Sequence, residues 1–433
     1  MKTARITGAR LKSVLMAGGI AVFLALAMIL SSCSTLTHPQ KVTTVVGEFW
    51  IGTNTASGNL GTSDNPFVCV TETQFDRTMS NLPPNCTVHI LAGTYSTRGS
   101  PAAYSVKTGQ KVIGSGMDVT VLKLVPGTPD NTSVMGSSFG TNMEVSDLTC
   151  DGNYPGQNGS AVTLHGITLL GSRNAIRRVK VINLAKYGGN SEAWGIVLDS
   201  GGVEDSTANV IEDCEVSDFQ GGLPGQGISA FSLNGTPKHS ISGVVTHNRV
   251  SLQPEVYHPV VAFNNAYTSN CVYQENYVDG ATFGFYGDTG RSLNVLVARN
   301  TFKNVIEGVS LANARRLNLT FSQNKILLAT NKVSVEIAFN VQETWVTNLI
   351  VIGNVVAWNT APPDGSLGCF LNLSDVSGLR VTDNQVEGTL TNHFWNDIVA
   401  TAFISTNNLD LNGRPYLIQL PGKPEIDKST EIR

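Results

Sequence analysis

The feature that most constrains this chain is a short, irregular internal repeat. From about residue 145 one pattern keeps returning: apolar, polar, Asn, any residue, then Val, Ile or Phe. It reads Thr246-His247-Asn248-Arg249-Val250, then Gln274-Glu275-Asn276-Tyr277-Val278, Ala298-Arg299-Asn300-Thr301-Phe302 and Ser322-Gln323-Asn324-Lys325-Ile326. It returns in Ile352-Gly353-Asn354-Val355-Val356 and Thr382-Asp383-Asn384-Gln385-Val386, and fades at Asn408. Earlier, Leu148, Val179 and Cys214 hold the Asn position. The steps from Leu148 to Asn408 are 31, 35, 34, 28, 24, 24, 30, 30 and 24 residues.

A second element lies inside each repeat: an apolar strand ending in Asp or Asn. Copies end at Asp199, Asn234, Asn264, Asp288, Asn313, Asn340 and Asn372. Repeats of this length, each too small to bury its own apolar face, imply stacking of successive copies. A coil that climbs one strand spacing, about 4.8 Å, per turn satisfies this. Asn suits the bends, because it tolerates the left-handed region and its amide can bond neighbouring backbone or a stacked copy of itself. The varying step fits, since a bend can bulge outward without shifting strand register. Leucine-rich repeats and propellers fit poorly, because their Leu spacing and Trp-Asp signature are missing. With 41% hydrophobic and only 14% charged residues, and with 43 Gly and 17 Pro, the composition fits many short strands better than a helical bundle, coiled coil or disordered chain.

With these repeats the chain resembles the right-handed parallel β-helix proteins of the pectin-lyase-like superfamily, over about residues 85 to 410. Pro84-Asn85-Cys86-Thr87-Val88-His89-Ile90-Leu91-Ala92-Gly93-Thr94-Tyr95 looks like the opening strand of that fold. The expected fold is all-β: a single-stranded right-handed parallel β-helix of roughly ten or more coils. An amphipathic helix from Phe75 to Leu82 would plug its N-terminal end, since an open coil end exposes core and unpaired backbone. The expected organisation is 1–32 signal peptide, 33–46 tether, 47–410 β-helix and 411–433 loose tail.

The first segment reads as an address. Lys2, Arg5, Arg10 and Lys12 precede an apolar run from Val14 to Leu30, which ends in Leu30-Ser31-Ser32-Cys33. The run is short for a membrane span. Leu-Ser-Ser-Cys resembles the bacterial lipobox, which implies lipidation of Cys33 and cleavage before it. The expected location is the cell envelope, lipid-anchored at the outer membrane or cell surface; Ser34 points to outer-membrane sorting where two membranes exist. Without residues 1–32 the chain has 25 basic and 33 acidic residues. That balance makes nucleic acid a poor partner. Cys69 and Cys86 flank the expected helix, where a disulfide could join them. Cys150, Cys214, Cys271 and Cys369 read as small core residues. No CxxC or Cys/His cluster suggests structural zinc.

The segments after Leu148, Val179, Cys214 and Asn248 are long and belong to consecutive coils. They should form a wall of loops beside a shallow groove suited to an extended chain ligand such as a polysaccharide. The loops carry Asp151 and His165, then Lys186, Tyr187, Glu192 and Trp194, then Gln226, then Glu255, Tyr257 and His258. A polysaccharide lyase needs a base to take the proton α to a uronate carboxylate, and a cation such as Ca²⁺ or a basic side chain to stabilise the enolate. Lys186, Tyr187 and His258 could supply the base, with His165 a further catalytic candidate. A glycoside hydrolase needs two carboxyl groups, which Glu192 with Glu255 or Asp151 could supply. Trp194 and Tyr257 could stack on sugar faces, with Gln226 among the polar contacts. His165 could equally cap a strand, and Glu192 and Glu255 could be solvated loop acids. Asp288, in the second Asp/Asn row, reads as structural. The catalytic sets of polygalacturonases and pectate lyases are missing, and no Ca²⁺ motif is present. Two functions stay open: a lyase or hydrolase acting on an extracellular polysaccharide, or a non-catalytic glycan-binding or adhesin-like surface protein.

Overall fold

The computed structural model describes residues 47–54, 59–157, 162–186, 192–220, 228–252, 260–288, 290–312, 315–330, 336–342, 345–360, 367–394 and 403–418. Cys33, the leader segment and Asn313 lie outside the described residues. Among these residues, 32 strands form one continuous sheet wound as a right-handed parallel β-helix. Each coil has three faces. The first carries the strands Leu164–Leu170 (β1), Ala193–Asp199 (β2), Ile228–Asn234 (β3), Val260–Ala266 (β4), the later half of Tyr277–Gly287 (β5), the later half of Thr301–Ala312 (β7) and Glu336–Gln342 (β9). The second includes Ser292–Ala298 (β6) and Arg315–Ser322 (β8). The third includes the early halves of β5 and β7, which pair with each other through Val278 and Phe302.

The bend between the second and third faces is built as the Asn pattern predicts. Asn276 N–H and Nδ2 both donate to Asn300 Oδ1, at 3.0 and 2.9 Å. Asn300 repeats this onto Asn324 at 3.0 Å, and Asn324 onto Asn354 at 2.9 and 3.0 Å. The ladder runs unbroken from Asn248 to Asn408. Cys214 joins its lower end by donating its N–H to Asn248 Oδ1 at 2.9 Å. The remaining amide hydrogen goes inward to a backbone carbonyl, as in Asn300 Nδ2 to Tyr273 O at 2.9 Å. The left-handed residue is the one before each Asn, not the Asn itself: His247, Glu275, Arg299 and Gln323 all have φ near 55°. The Asn contributes its amide, and its neighbour takes the strain.

Inside the coil, apolar rings stack rung on rung. Phe231 lies on Phe263 at 5.5 Å, and Phe285, Phe321, Phe339 and Phe370 continue edge to face at 5.7–5.9 Å. Cys150, Cys214, Cys271 and Cys369 are buried beside them, as expected of core residues.

Three expectations are corrected. The helix runs Glu72–Asn81 (α1), starting before Phe75, because Thr71 and Gln74 form a reciprocal capping box. It docks Phe75 against Tyr95 and Tyr104 at 5.5 and 5.8 Å. Cys69 and Cys86 are not bridged: each buried thiol finds a local partner, Thr78 Oγ1 at 3.5 Å and Pro83 O at 3.0 Å. The second Asp/Asn row is two columns. Asp199 pairs with Asn234 and then Ala266, whereas Asn264 pairs with Tyr286, then Ser310, Asn340 and Asn372. The inward residues Phe231, Phe263 and Phe285 set the register, so the position of the polar residue at the strand end is free to differ.

Replacing Asn300 by Leu should cost roughly 2–4 kcal/mol, because it strands the Asn276 donors, Tyr273 O and the Asn324 acceptor in a buried site. Lys303→Ala, on the same coil, should leave the unfolding midpoint unchanged within error. Chemical denaturation of the two variants checks this.

Candidate functional site

A regular feature of the first face brings functional groups to its outside. Each strand there has two successive inward residues, a small one then a large one: Gly195-Ile196, Ala230-Phe231, Ala262-Phe263, Gly284-Phe285 and Ala338-Phe339. A Cβ on Gly284 would lie 2.6 Å from Gly308 O and 2.8 Å from the Phe302 ring, so only a small residue fits. The strand bends at this pair. The residues flanking it, three apart, both point away from the coil interior and form two columns up the coil, in which Ser229, Val261, Val197, Ser232 and Asn264 are buried while Trp194, Phe283, Tyr286 and Glu307 are half-buried. One column holds His165, Trp194, Ser229, Val261, Phe283 and Glu307. The other holds Val197, Ser232, Asn264, Tyr286, Ser310 and Asn340.

Glu192, one residue before β2, climbs this surface. Its Oε2 accepts from Trp194 Nε1 at 3.1 Å, from Ser229 Oγ at 3.4 Å and from Asn264 Nδ2 at 3.5 Å, so it crosses the rungs of β3 and β4. Burial raises its pKa and the Asp288 charge adds to the rise, while the Trp194 N–H and Lys186 oppose it. Glu307 is a second half-buried acid. Burial raises its pKa against the pull of hydrogen bonds from Asn340 Nδ2, at 3.0 Å, and Ser310. Tyr286 stands between them, stacked on Phe283 at 5.1 Å. Its hydroxyl pKa is raised by burial and by Asp288, Glu192 and Glu307, with Arg316 opposing. Tyr286 lies on the rung between Asn264, which holds Glu192, and Ser310, beside Glu307, and it marks the centre of the site.

Against Trp194, on β1 and four rungs from Tyr286, sits a neutral histidine. His165 Nδ1 accepts the Trp194 backbone N–H at 3.1 Å, so the proton resides on Nε2, which donates to Asn131 Oδ1 at 2.7 Å. Its ring stacks on Trp194 at 5.2 Å. Burial, aided by Lys186, lowers its pKa to about 4, with Asp130 opposing. Lys186 is buried, with Nζ 3.4 Å from Thr163 Oγ1. Burial lowers its pKa against the attraction of Asp130 and Glu192.

The sequence-derived candidates therefore divide. His165, Lys186, Glu192 and Trp194 meet in one cluster. Asp151 is engaged elsewhere: it accepts from Asn153 N at 2.7 Å and Asn183 Nδ2 at 2.9 Å and pairs with Lys123 at 3.5 Å. Tyr187, Gln226, Glu255, Tyr257 and His258 lie outside the described residues. Glu307, Tyr286 and Arg316 were missed, and Asp288 was assigned a structural place. A usable signal existed for Glu307, a lone acid inside the apolar run Val305-Ile306-Glu307-Gly308-Val309. Among the described residues, no group of three or more His, Cys, Asp or Glu is placed to hold a metal ion.

No protein-family model matches the chain. Among curated proteins it is 27% identical over 248 residues to mannuronan C5-epimerase AlgE5 of Azotobacter vinelandii, covering 54% of this chain and 23% of that protein. It is 32% identical over 148 residues to AlgE2 of the same organism, covering 31% of this chain and 14% of that one. The chain thus spans less than a quarter of the length of these relatives. Among solved structures, a GH136 lacto-N-biosidase from Eubacterium ramulus superposes with a TM-score of 0.51 at 8% identity, over 84% of this chain and 67% of that one. The chain is a right-handed parallel β-helix protein with the pectin-lyase-like fold.

The histidine gives a pH test. Its folded pKa, about 4, lies below the unfolded value of about 6.5. The neutral ring therefore contributes stability fully above pH 6.5, and this is lost as pH falls from 6.5 towards 4. His165→Gln should shrink the stability difference between pH 7 and pH 4.5, measured by urea unfolding. An unchanged difference would contradict the buried, neutral imidazole.

Proposed function

We propose that this protein is an enzyme acting on a polysaccharide laid along the outer surface of the first face, with carboxyl groups as its acid and base. The observation that carries the reading is the placement of Glu192, held by Asn264, and Glu307, held by Asn340, on rungs either side of Tyr286, with Asp288 two residues further along that strand and both glutamates pushed towards their protonated forms by burial. Glycoside hydrolysis needs one carboxyl group that can donate a proton to the leaving oxygen and another that can activate water or attack. Glu192 suits the first role and Asp288 the second. The Glu192 carboxylate lies beside Asn264, one rung from β5, and Asp288 follows Tyr286 by two residues. Rung and residue spacings put the Asp288 backbone on the order of 8 Å from the Asn264 position that holds the Glu192 carboxylate. An inverting hydrolase needs its two carboxyl groups about 6.5–9.5 Å apart, with water between them. Glu307 is a rung further on and serves an adjoining sugar. Trp194 and the Phe283–Tyr286 stack offer ring faces for sugars on either side of Glu192.

The likeness to mannuronan C5-epimerases favours a second reading: proton removal from a uronate, with Tyr286 as the acid–base group, leading to epimerisation or elimination. A non-catalytic glycan-binding role is the remaining outcome. The leader and Leu30-Ser31-Ser32-Cys33 support a further proposal, that lipid on Cys33 anchors the protein in a bacterial cell envelope.

A panel of mannuronan, polygalacturonate and neutral β-glucans separates these readings. New reducing ends support hydrolysis, and ultraviolet absorbance of unsaturated uronates supports elimination. Uptake of solvent deuterium at C5 without cleavage supports epimerisation. Binding with no product from any glycan leaves the binder. In a hydrolase, Glu192→Gln and Asp288→Asn should each lower kcat by at least about 100-fold, while Asp218→Ala, at an exposed carboxylate that accepts from the neighbouring Ser217 hydroxyl, leaves it unchanged. Cys33→Ala should move the protein from the membrane fraction to the soluble one; retention in the membrane would rule out the anchor.

A further inference from the structure

Beneath the candidate site the core contains a buried polar chain that the apolar interior does not need. Arg316, the second residue of β8, is 3% exposed, between Ser292 below and Val346 above. Its Nη1 donates to Ser292 Oγ at 2.7 Å, and its Nη2 donates to the backbone carbonyl of Asp288. Ser292 Oγ also accepts from Asn265 Nδ2 at 3.0 Å, and Asn265 Oδ1 accepts from the Tyr273 hydroxyl at 3.1 Å. Tyr273, Asn265 and Ser292 are all buried. The Asp288 N–H donates to Asn265 O at 3.2 Å. Both backbone polar groups of Asp288 are therefore held by one network. A Cβ on Gly287 would come 2.8 Å from Arg316 Cζ, so the strand end rests directly on the guanidinium.

A buried guanidinium is expensive, and the neighbouring rungs fill the same place with an uncharged residue. Among the described residues Arg316 Nε finds no hydrogen-bond partner, so the group is not retained for complete satisfaction of its own donors. Its forked shape suits a different task, bridging a side chain and a backbone carbonyl from one rigid plane.

We propose that Arg316 is a positioning residue that clamps the Gly287–Asp288 strand end from beneath, fixing where the Asp288 carboxylate meets the substrate. This rests on the catalytic reading of Asp288 given above. Among the described residues, the charged and titratable groups that act electrostatically with Asp288 are Arg316 from β8, which also bonds its carbonyl, Glu192 from the segment before β2 and Tyr286 from β5. Arg316 is the cation among them. Burial lowers its pKa to about 10, with Asp288 and Tyr286 opposing, so it stays charged at neutral pH.

The test uses the full chain with Arg316→Met, Arg316→Lys, Asp288→Asn and, as a control for lost stability, the distant core variant Val381→Ala. Hydrogen–deuterium exchange should speed up in Arg316→Met over residues 284–292 and stay slow in the coils on either side. With mannuronan or β-glucan as substrate, Arg316→Met should lower kcat about 100-fold and leave KM within about twofold, as expected of a misplaced reacting group. Arg316→Lys, which can reach one acceptor but not both, should recover part of that loss. Val381→Ala should lose stability yet keep wild-type kcat. Unchanged exchange over 284–292 in Arg316→Met, or wild-type kcat in that variant, would overturn the clamp. An Asp288→Asn chain with wild-type turnover would overturn the catalytic reading instead, and the exchange measurement would still decide whether Arg316 holds the strand end.

Discussion

The structure depends on vertical repetition of one buried side-chain amide. An Asn at the bend between the second and third faces receives two donors from the Asn below and gives its own donors to the Asn above and to an inner carbonyl. Each amide is thereby satisfied only if the next coil is in register. Register is the quantity a solenoid of short strands otherwise specifies weakly, because neighbouring copies are similar. The amides act together with the stacked Phe rings of the interior, which fix the same alignment through shape.

That alignment makes a site possible. Residues 192, 264, 288 and 307 are far apart in sequence and come together because coils of different length return to the same rungs. The small–large inward pair on the first face adds a local device, a bend with outward residues on both sides of it. A rigid wall carrying half-buried acids can hold them in protonation states that water would not favour. The same wall offers aromatic faces and amides at fixed intervals, and a linear ligand of repeating units matches that periodic presentation.

Much of this was legible in the sequence, and its limits have physical causes. The Asn row is visible because a buried amide ladder tolerates almost no other residue; Cys214, Val179 and Leu148 are recognisable only by spacing. The second row misled because the polar residue ending each strand is not what sets register: Phe263 aligns with Phe285, which leaves Asn264 opposite Tyr286. His165, Lys186, Glu192 and Trp194 were found because they are reactive types crowded into long segments. Glu307, Tyr286 and Arg316 lie within regular strands, where the repeat suggests only scaffold. Their role depends on which way a side chain points and what lies beneath it, and neither is written in the local pattern. The bridge between Cys69 and Cys86 failed for a similar reason, since flanking a helix brings two cysteines near each other without aligning their sulfurs.

The unbridged thiols have a wider consequence. The six described cysteines are buried, and several are held far towards the protonated form: burial raises Cys150 well above its usual value, and Cys214 and Cys271 to about 12. A thiol that is neither ionised nor reachable does not exchange with disulfides or react with oxidants. No covalent crosslink among these residues has to be made for the chain to fold, and none can be reduced to undo it. Once folded, the scaffold therefore offers no reactive thiol among its described residues to oxidants or disulfides around it.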